Sequence, residues 1–382
     1  MEPFRIEIPQ ESLDDLAARL AGVRWPVQPV GAGWERGVPV GYLRDLVGYW
    51  RSGYDWRAAE ARLNKFPQFV AEVDGARVHF LHVRSPEPGA VPLVVTHGWP
   101  GSFVEFLEVV GPLADPRGFG GDPGVAFDVV VPTIPGFGFS GPVSGTGWTL
   151  PRVAGVWAEL MRRLGYDRYA LHGGDFGSLI SLEVARQHPA RVLGVHVNFL
   201  VTGVDTAADP DLSDAERGRL ATMARFHTDP AGYVKVQATR PHTLAFGLTD
   251  SPVGQLAWIV EKFREWTDPT SALPDAVDRD TLLTNVMLYW LTGTAGSSAA
   301  LYYEIGAQLR AGAPPVAPWP TEVPVAVAVF PHDFLLPVRR QAMAELPTIT
   351  RWTEFAHGGH FPALEQPELL VTDLRAFFAD RR

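Results

Sequence analysis

The sequence predicts an α/β fold in which a mostly parallel central sheet is covered by helices on both faces. Between residues 77 and 198, short apolar runs of strand length alternate with amphipathic stretches at helical spacing. Parallel sheets buried on both faces produce this pattern. Residues 203–310 then show four helical patterns without a strand run, and strand-like runs resume after residue 323. A helical insertion therefore interrupts a single α/β core.

Residues 1–75 are predicted to form an N-terminal helical arm. Its first helix opens at Ser12, which is spaced from Asp15 as in a capping box, and Leu13, Leu16 and Leu20 follow at helical spacing. Two more helical patterns run through residues 42–50 and 56–64. Because the arm contains no combination of acid and base residues, we interpret it as structural.

The core is predicted in two parts, residues 76–202 and 311–382, with the cap between them at 203–310. The first part contains strands at 78–83, 92–97, 127–133, 168–173 and 192–198, and helices at 103–113, 149–164 and 176–188. The cap contains helices at 213–226, 229–238, 253–265 and 281–292. The second part contains strands at 323–330 and 350–355 and a final helix at 368–378. Ligands bind at the carboxyl ends of such strands, so the cap is expected to form a lid.

Composition limits the classes of function. The 382 residues carry a formal net charge of −10 without a basic cluster, which argues against nucleic acid and anionic membranes as partners. Cysteine is absent, so disulfides, thiolate metal ligands and a catalytic thiol are excluded. No run of about 18 apolar residues predicts a transmembrane helix, and the N-terminus lacks the apolar centre of a signal peptide. We therefore expect a cytoplasmic location and no membrane association.

The chemistry is predicted at the junction between the strand at 168–173 and the helix that follows it. Asp175 stands there with Gly173 and Gly177 two positions to either side. A strained strand–turn–helix with small residues at those positions is typical of a nucleophile elbow. A carboxylate at its apex can attack carbon and form an alkyl ester. A cap on the following helix is the alternative role for Asp175, and the segment alone leaves both open.

The motif HGWPGS (residues 97–102) ends the predicted strand at 92–97. A turn of this kind can present the amide of Trp99 toward the elbow, and Phe176, directly after the nucleophile, supplies a second amide. We expect these amides to form an oxyanion hole and the Trp99–Pro100 bond to be cis. Taken alone, the motif slightly favours an ordinary Pro-Gly turn.

Two histidines, His357 and His360, compete for the role of general base in the loop after the last strand. We favour His360, because the two glycines before it let the loop bend toward the site. Asp333 is the acid at the end of the strand at 323–330, and it is expected to orient this imidazole. No metal motif is present, so we expect neither a metal nor a cofactor.

These motifs resemble those of the microsomal-type epoxide hydrolases, a family of the α/β-hydrolase fold, in their soluble bacterial form. The resemblance extends over nearly the whole chain and includes the following segments: RWP (24–26), YDWR (54–57), HGWPGS (97–102), GGDFGS (173–178), DSPVG (250–254), LLTNVMLYW (282–290) and GGHF (358–361). Each motif is modest alone, and their common order makes the set specific. The resemblance implies a hydrolase acting on ether bonds that converts an epoxide to a vicinal diol.

The resemblance also implies site residues and partners. Two cap tyrosines that hold and protonate the epoxide oxygen are implied at Tyr233 and Tyr302, with Tyr303 as the second candidate for the latter. His97, Trp99 and Pro100 of HGWPGS are implied to bind the substrate. That substrate is expected to be a small apolar or aromatic epoxide, with water as co-substrate and a role in natural-product biosynthesis or detoxification. A homodimer is compatible with the sequence, which leaves the oligomeric state open.

Other functions stay open on the sequence alone. A haloalkane dehalogenase also uses an aspartate nucleophile and a histidine base, but its halide site often uses a tryptophan where this chain has Phe176. A non-catalytic ligand-binding relative is expected to have lost one of Asp175, Asp333 and His360, and all three are present. A serine esterase is disfavoured because aspartate stands at the apex of the elbow.

Overall fold

The structure of the protein is a computed structural model that describes residues 1–203, 212–228, 231–270, 276–314, 318–319 and 321–381. The strands of the described residues are β1 (Glu2–Phe4), β2 (Gln68–Val73), β3 (Ala76–Val83), β4 (Val91–Thr96), β5 (Phe127–Pro132), β6 (Tyr169–Gly173), β7 (Val192–Val197), β8 (Val325–Val329) and β9 (Ile349–Glu354). They form one sheet in the order β1-β2-β3-β5-β4-β6-β7-β8-β9.

The sheet is antiparallel at one end and parallel over the rest. The pairs β1–β2, β2–β3 and β3–β5 are antiparallel, and every pair from β5 through β4 to β9 is parallel. Strands β6, β7 and β8 are buried along their whole length, as their mostly apolar sequences predict. The mostly parallel sheet confirms the predicted fold class.

Helices are present in each of the three regions that the sequence analysis names arm, core and cap. Those of the arm are α1 (Gln10–Ala21), α2 (Val40–Ser52) and α3 (Trp56–Leu63), and those of the first core segment are α4 (Leu107–Ala114), α5 (Leu150–Arg163) and α6 (Phe176–Gln187). The cap contains α7 (Asp214–Thr228), α8 (Gly232–Thr239), α9 (Pro241–Asp250), α10 (Pro252–Trp266), α11 (Arg279–Thr292), α12 (Ala295–Ser298) and α13 (Ala300–Arg310). The last core segment contains α14 (Arg339–Glu345), α15 (Pro362–Glu365) and α16 (Pro367–Phe378). None of the helices in the described part of the chain is long and apolar enough to cross a membrane.

The arm differs from its prediction in two respects. It is not only helical, because β1 and β2 extend the sheet at its antiparallel end. Strand β1 has only three residues, and both strands mix polar and apolar residues, so the strand signal in the sequence is weak. The capping box is also wrong: α1 begins after Pro9, whose carbonyl accepts from the Ser12 amide at 3.1 Å, so Ser12 lies inside the helix.

In the cap, the helices predicted at 213–226, 253–265 and 281–292 are present as α7, α10 and α11, with ends shifted by one or two residues. The first two residues of the helix predicted at 229–238 lie outside the described residues, and the remainder corresponds to α8. Helices α9, α12 and α13 were not predicted. Helix α12 is only four residues long, too short to show a helical period, and α9 begins at a proline and contains a glycine. Helix α13 does carry apolar residues at intervals of four, at Leu301, Ile305 and Leu309, and this signal was overlooked.

The arm braces the cap through polar contacts. Arg19 on α1 donates from Nη1 to the backbone oxygen of Asp250 at 2.8 Å, just before α10. Tyr49 donates to Asp280 Oδ1 at 2.7 Å, and the hydroxyls of Tyr54 and Thr284 lie 3.1 Å apart. The arm therefore supports α10 and α11. Helix α10 begins within the DSPVG motif, and α11 contains the LLTNVMLYW motif.

Candidate active site

Asp175 occupies a tight turn between β6 and α6, with a φ of 49° that is rare for a residue with a side chain. Gly173 and Gly177, on either side of it, are required because no room is left there for a side chain. A Cβ on Gly173 would lie 2.2 Å from the backbone of Gly177, and a Cβ on Gly177 would lie 1.9 Å from the Thr96 carbonyl oxygen. The strand, turn and helix therefore approach so closely that no side chain fits, which is the geometry of a nucleophile elbow.

The side chain of Asp175 does not cap α6. It makes no capping hydrogen bond, and its Oδ1 instead accepts from the Trp99 amide at 2.9 Å. The Trp99–Pro100 bond is cis, as expected. The carboxylate therefore faces an amide of the HGWPGS loop, and this placement favours the elbow over the helix cap. Phe176 is buried at the start of α6, and its ring contacts Tyr302 edge-on at 4.6 Å.

The HGWPGS loop is held from the cap by α11. Asn285 donates from Nδ2 to the carbonyl oxygen of Pro100 at 2.8 Å, and the Tyr289 hydroxyl donates to that of Gly101 at 2.6 Å. Both side chains are buried. The LLTNVMLYW motif therefore positions the loop that presents the Trp99 amide to Asp175.

His97 corrects one sequence-based expectation. It was predicted to bind substrate, but its side chain has no exposed surface. Its Nε2 accepts from the Ile134 amide at 3.2 Å, and its Nδ1 lies 3.0 Å from the Gly98 carbonyl oxygen. Both ring nitrogens are engaged by backbone, so His97 supports the loop from behind and does not face a ligand.

The structure brings His360 between two carboxylates. Its Nδ1 lies 2.9 Å from Asp333 Oδ1, and its Nε2 lies 3.5 Å from Asp175 Oδ2. Burial acts to lower the pKa of His360, but the charges and hydrogen bonds of the two carboxylates outweigh it and raise that pKa to about 10. His357, the competing candidate, is exposed. The geometry favours His360 as the base and Asp333 as its orienting acid.

The loop that carries His360 depends on its glycines and on a half-buried glutamate. A Cβ on Gly359 would lie 2.3 Å from the Trp266 carbonyl oxygen, the same oxygen that accepts from the His360 amide at 2.8 Å. Glu365 accepts from the amides of Gly359 and Phe361, each at 3.0 Å. The GGHF motif therefore closes a turn against the end of α10.

Tyr233 and Tyr302 meet above the elbow. Their rings lie 5.9 Å apart, and both contact Trp99: Tyr233 stacks on its indole at 5.1 Å and 14°, and Tyr302 meets it edge-on at 5.8 Å. Both tyrosines are buried, whereas the neighbouring Tyr303 is 41% exposed. This placement supports the pair named from the resemblance over Tyr303.

Glu105 is a site residue that the sequence analysis missed. It lines the same small cavity as Asp175 and His360. Burial raises its pKa to about 8, although the nearby His360 acts in the opposite direction, so the side chain is mostly neutral at pH 7. Its Oε1 is buried without a hydrogen-bond partner in the described structure. A single acid within the apolar run from Phe103 to Leu107 was the available signal.

Asn198 and Lys262 were missed as well. Asn198, at the end of β7, donates to the His360 carbonyl oxygen at 3.4 Å. Lys262 on α10 lies with its Nζ 5.0 Å from the centre of the Tyr233 ring. Among the described residues, no group of three or more His, Cys, Asp or Glu side chains is arranged to hold a metal ion.

Comparisons with known proteins agree with this geometry. The family model described as the epoxide hydrolase N terminus matches residues 1–106, and that of the alpha/beta hydrolase fold matches residues 91–231. The chain is 43% identical over 381 residues to a protein of Stigmatella aurantiaca, an alignment that covers 100% of this chain and 85% of its relative. It is 34% identical over 402 residues to Epoxide hydrolase 1 of Sus scrofa, covering 99% and 88%.

A solved structure shows the same arrangement. The epoxide hydrolase of Aspergillus niger matches with a TM-score of 0.86 and 34% identity, over 100% of this chain and 96% of that one. The likeness therefore includes the arm, the core and the cap. The chain belongs to the epoxide hydrolases of the α/β-hydrolase fold, hydrolases that act on ether bonds.

Proposed function

We propose that this epoxide hydrolase works in two steps through an alkyl ester on Asp175. The observation that carries the proposal is the placement of Asp175, which lies at the elbow apex with one oxygen on the Trp99 amide and the other 3.5 Å from His360 Nε2. A carboxylate held in this way is positioned to attack, and the histidine beside it is positioned to activate water afterwards.

In the first step, an Asp175 oxygen forms a bond to one epoxide carbon while the ring C–O bond breaks. The leaving oxygen develops alkoxide charge and needs a proton. Tyr233 and Tyr302 supply donors from the cap side of the site, and one phenol gives up its proton to the new hydroxyl group. Burial comes first among the causes that raise the pKa of each phenol well above its usual range, which keeps both protonated before the reaction.

The second step requires a neutral His360, and ester formation provides it. In the free enzyme the carboxylates of Asp175 and Asp333 together hold this imidazole in its charged form. The ester removes the charge of Asp175, so the pKa of His360 falls and its proton restores the phenol. The neutral imidazole then takes a proton from water, whose oxygen attacks the ester carbonyl. The diol leaves with the remaining proton, and the starting charges are regained.

The oxyanion formed in the second step requires hydrogen-bond donors. The Trp99 amide already contacts Asp175 Oδ1 at 2.9 Å, and the Phe176 amide is the proposed second donor. Each donor contributes on the order of 100-fold to the rate. The backbone supplies both groups, which explains why phenylalanine is acceptable after the nucleophile.

The substrate is proposed to be a small apolar or aromatic epoxide that enters with its oxygen between the two tyrosines. Trp99, Phe176 and Trp266 contribute rings to this region, and these rings suit an apolar substituent. In the proposed scheme Trp99 and Pro100 line the substrate site. Nothing in the geometry favours dehalogenation over epoxide opening.

Replacement of His360 by Gln tests this mechanism. The variant should form the ester but not hydrolyse it, so intact-mass measurement with styrene oxide should show a stoichiometric gain equal to the mass of the epoxide. Peptide mapping should place the gain on Asp175. The matched control is His357→Gln, which changes an exposed histidine of the same loop and should turn over normally. A His360→Gln enzyme with undiminished turnover, or without an adduct from any epoxide, contradicts the proposal.

A further inference from the structure

The inference concerns Lys262, a lysine buried within the cap. Only 3% of the residue is exposed, although lysine is rarely buried. Its Nζ lies 2.8 Å from an oxygen of Glu261 and 2.8 Å from an oxygen of Glu265, and 5.0 Å from the centre of the Tyr233 ring. The two glutamates satisfy the charge, and neither requires that the ammonium lie over this tyrosine.

Two side-chain contacts between α8 and α10 fix the place of the ammonium. Gln237 lies one turn after Tyr233 on α8, and Trp258 lies one turn before Lys262 on α10. Trp258 donates from Nε1 to Gln237 Oε1 at 2.9 Å. The two helices are thus joined by two successive contacts at a spacing of four residues, so the register that forms one contact also forms the other.

We propose that Lys262 is a positioning residue that makes Tyr233 a stronger proton donor when the epoxide ring opens. This inference rests on the proposed function, in which Tyr233 gives its proton to the epoxide oxygen. As that proton leaves, electron density on the phenol ring increases, and a cation over the ring face stabilises the electron-rich form more than the neutral one.

The other charges around Tyr233 act in the opposite direction. Burial first, and then the carboxylate of Asp175, raise the pKa of this phenol, and Glu265 and Asp333 add to the effect. A hydrogen bond with Tyr302 acts to lower it. Lys262 is the cation that contacts the ring among the described residues. Without it, no cation would lie over the face of this ring in the described part of the structure, and the phenol would give up its proton less readily.

The test measures ester formation directly. In a His360→Gln background, the rate of adduct formation is followed by intact mass after mixing with 1,2-epoxybutane. Adding Lys262→Met, which keeps an unbranched side chain of similar size and removes its charge, should slow ester formation by about tenfold. Lys262→Arg, which keeps the charge, should restore most of the rate. If Lys262→Met does not fold, because it leaves two glutamates without their lysine, the comparison is repeated in a Glu265→Gln background. There the Glu265→Gln variant is compared with the Glu265→Gln, Lys262→Met double variant, in which one fewer carboxylate lacks a partner.

A second substrate separates proton donation from simple packing. With 2-(trifluoromethyl)oxirane the leaving alkoxide is far less basic and needs less help from an acid. The deficit of Lys262→Met should therefore shrink for this epoxide, whereas a misplaced tyrosine would slow both epoxides equally. An unchanged rate in Lys262→Met, or equal deficits with both substrates, overturns the inference. If His360→Gln alone forms no adduct with either epoxide, the proposed function itself fails, and the inference fails with it.

Discussion

The environment of Glu105 predicts that the stability of the protein depends on pH. Replacing Glu105 by Gln should remove this dependence. Burial raises the pKa of this carboxyl from 4.5 to about 8 in the folded protein. Between these two values the unfolded chain is ionised and the folded one is not, so the folded protein loses stability as the pH rises from 4.5 to 8. At about 1.4 kcal/mol per pH unit, the full effect is on the order of 5 kcal/mol.

Glu105→Gln replaces the neutral carboxyl with a neutral side chain of the same shape. We expect the variant and the parent to have similar free energies of unfolding at pH 5, and the variant to be more stable at pH 8 by several kcal/mol. Urea denaturation at both pH values measures the difference. Glu11→Gln on α1, where the carboxylate is exposed, is the control and should change stability little at either pH. A variant that is not stabilised at pH 8 relative to pH 5 refutes the reasoning.

Two further substitutions test how the site is held in place. Gly177→Ala would force a Cβ to within 1.9 Å of the Thr96 carbonyl oxygen, so the turn must open. We expect at least a 100-fold loss of kcat/KM. Near-normal activity would show that the glycine is not required. Asn285→Ala removes the hydrogen bond to the Pro100 carbonyl. It should destabilise the protein by about 1 kcal/mol, measured by thermal unfolding, and lower kcat, measured by diol formation. Unchanged stability and unchanged kcat would show that α11 does not support the loop.

Much of the site was predictable because its geometry constrains single residues. Only glycine fits at positions 173 and 177, and the same glycines in the sequence identified the elbow. The chain order of nucleophile, acid and base singled out Asp333 and His360, which the structure brings within 2.9 Å of each other. The elbow glycines are a local pattern, and the triad follows from the order of elements along the chain. A sequence contains both kinds of information.

Other parts depend on packing, which a sequence does not reveal. Tyr302 and Tyr303 are neighbours on one helix, 8% and 41% exposed, and only the resemblance and the structure separate them. From the sequence, Lys262 would be assigned to the surface, and only the tertiary structure shows that it is buried against Tyr233 of α8. His97 belongs to a site motif and yet faces the backbone of the core. Strands β1 and β2 were missed because their pairing, rather than their composition, makes them strands.

A single turnover in ¹⁸O-labelled water is the measurement that tests the covalent ester most directly. With enzyme in excess over the epoxide, the attacking oxygen comes from the Asp175 carboxylate, and the oxygen of water enters that carboxylate when the ester is hydrolysed. The account predicts an unlabelled diol and a peptide containing Asp175 that is heavier by one ¹⁸O substitution. A labelled diol beside an unlabelled peptide would mean that water attacks the epoxide directly, and it would contradict the account.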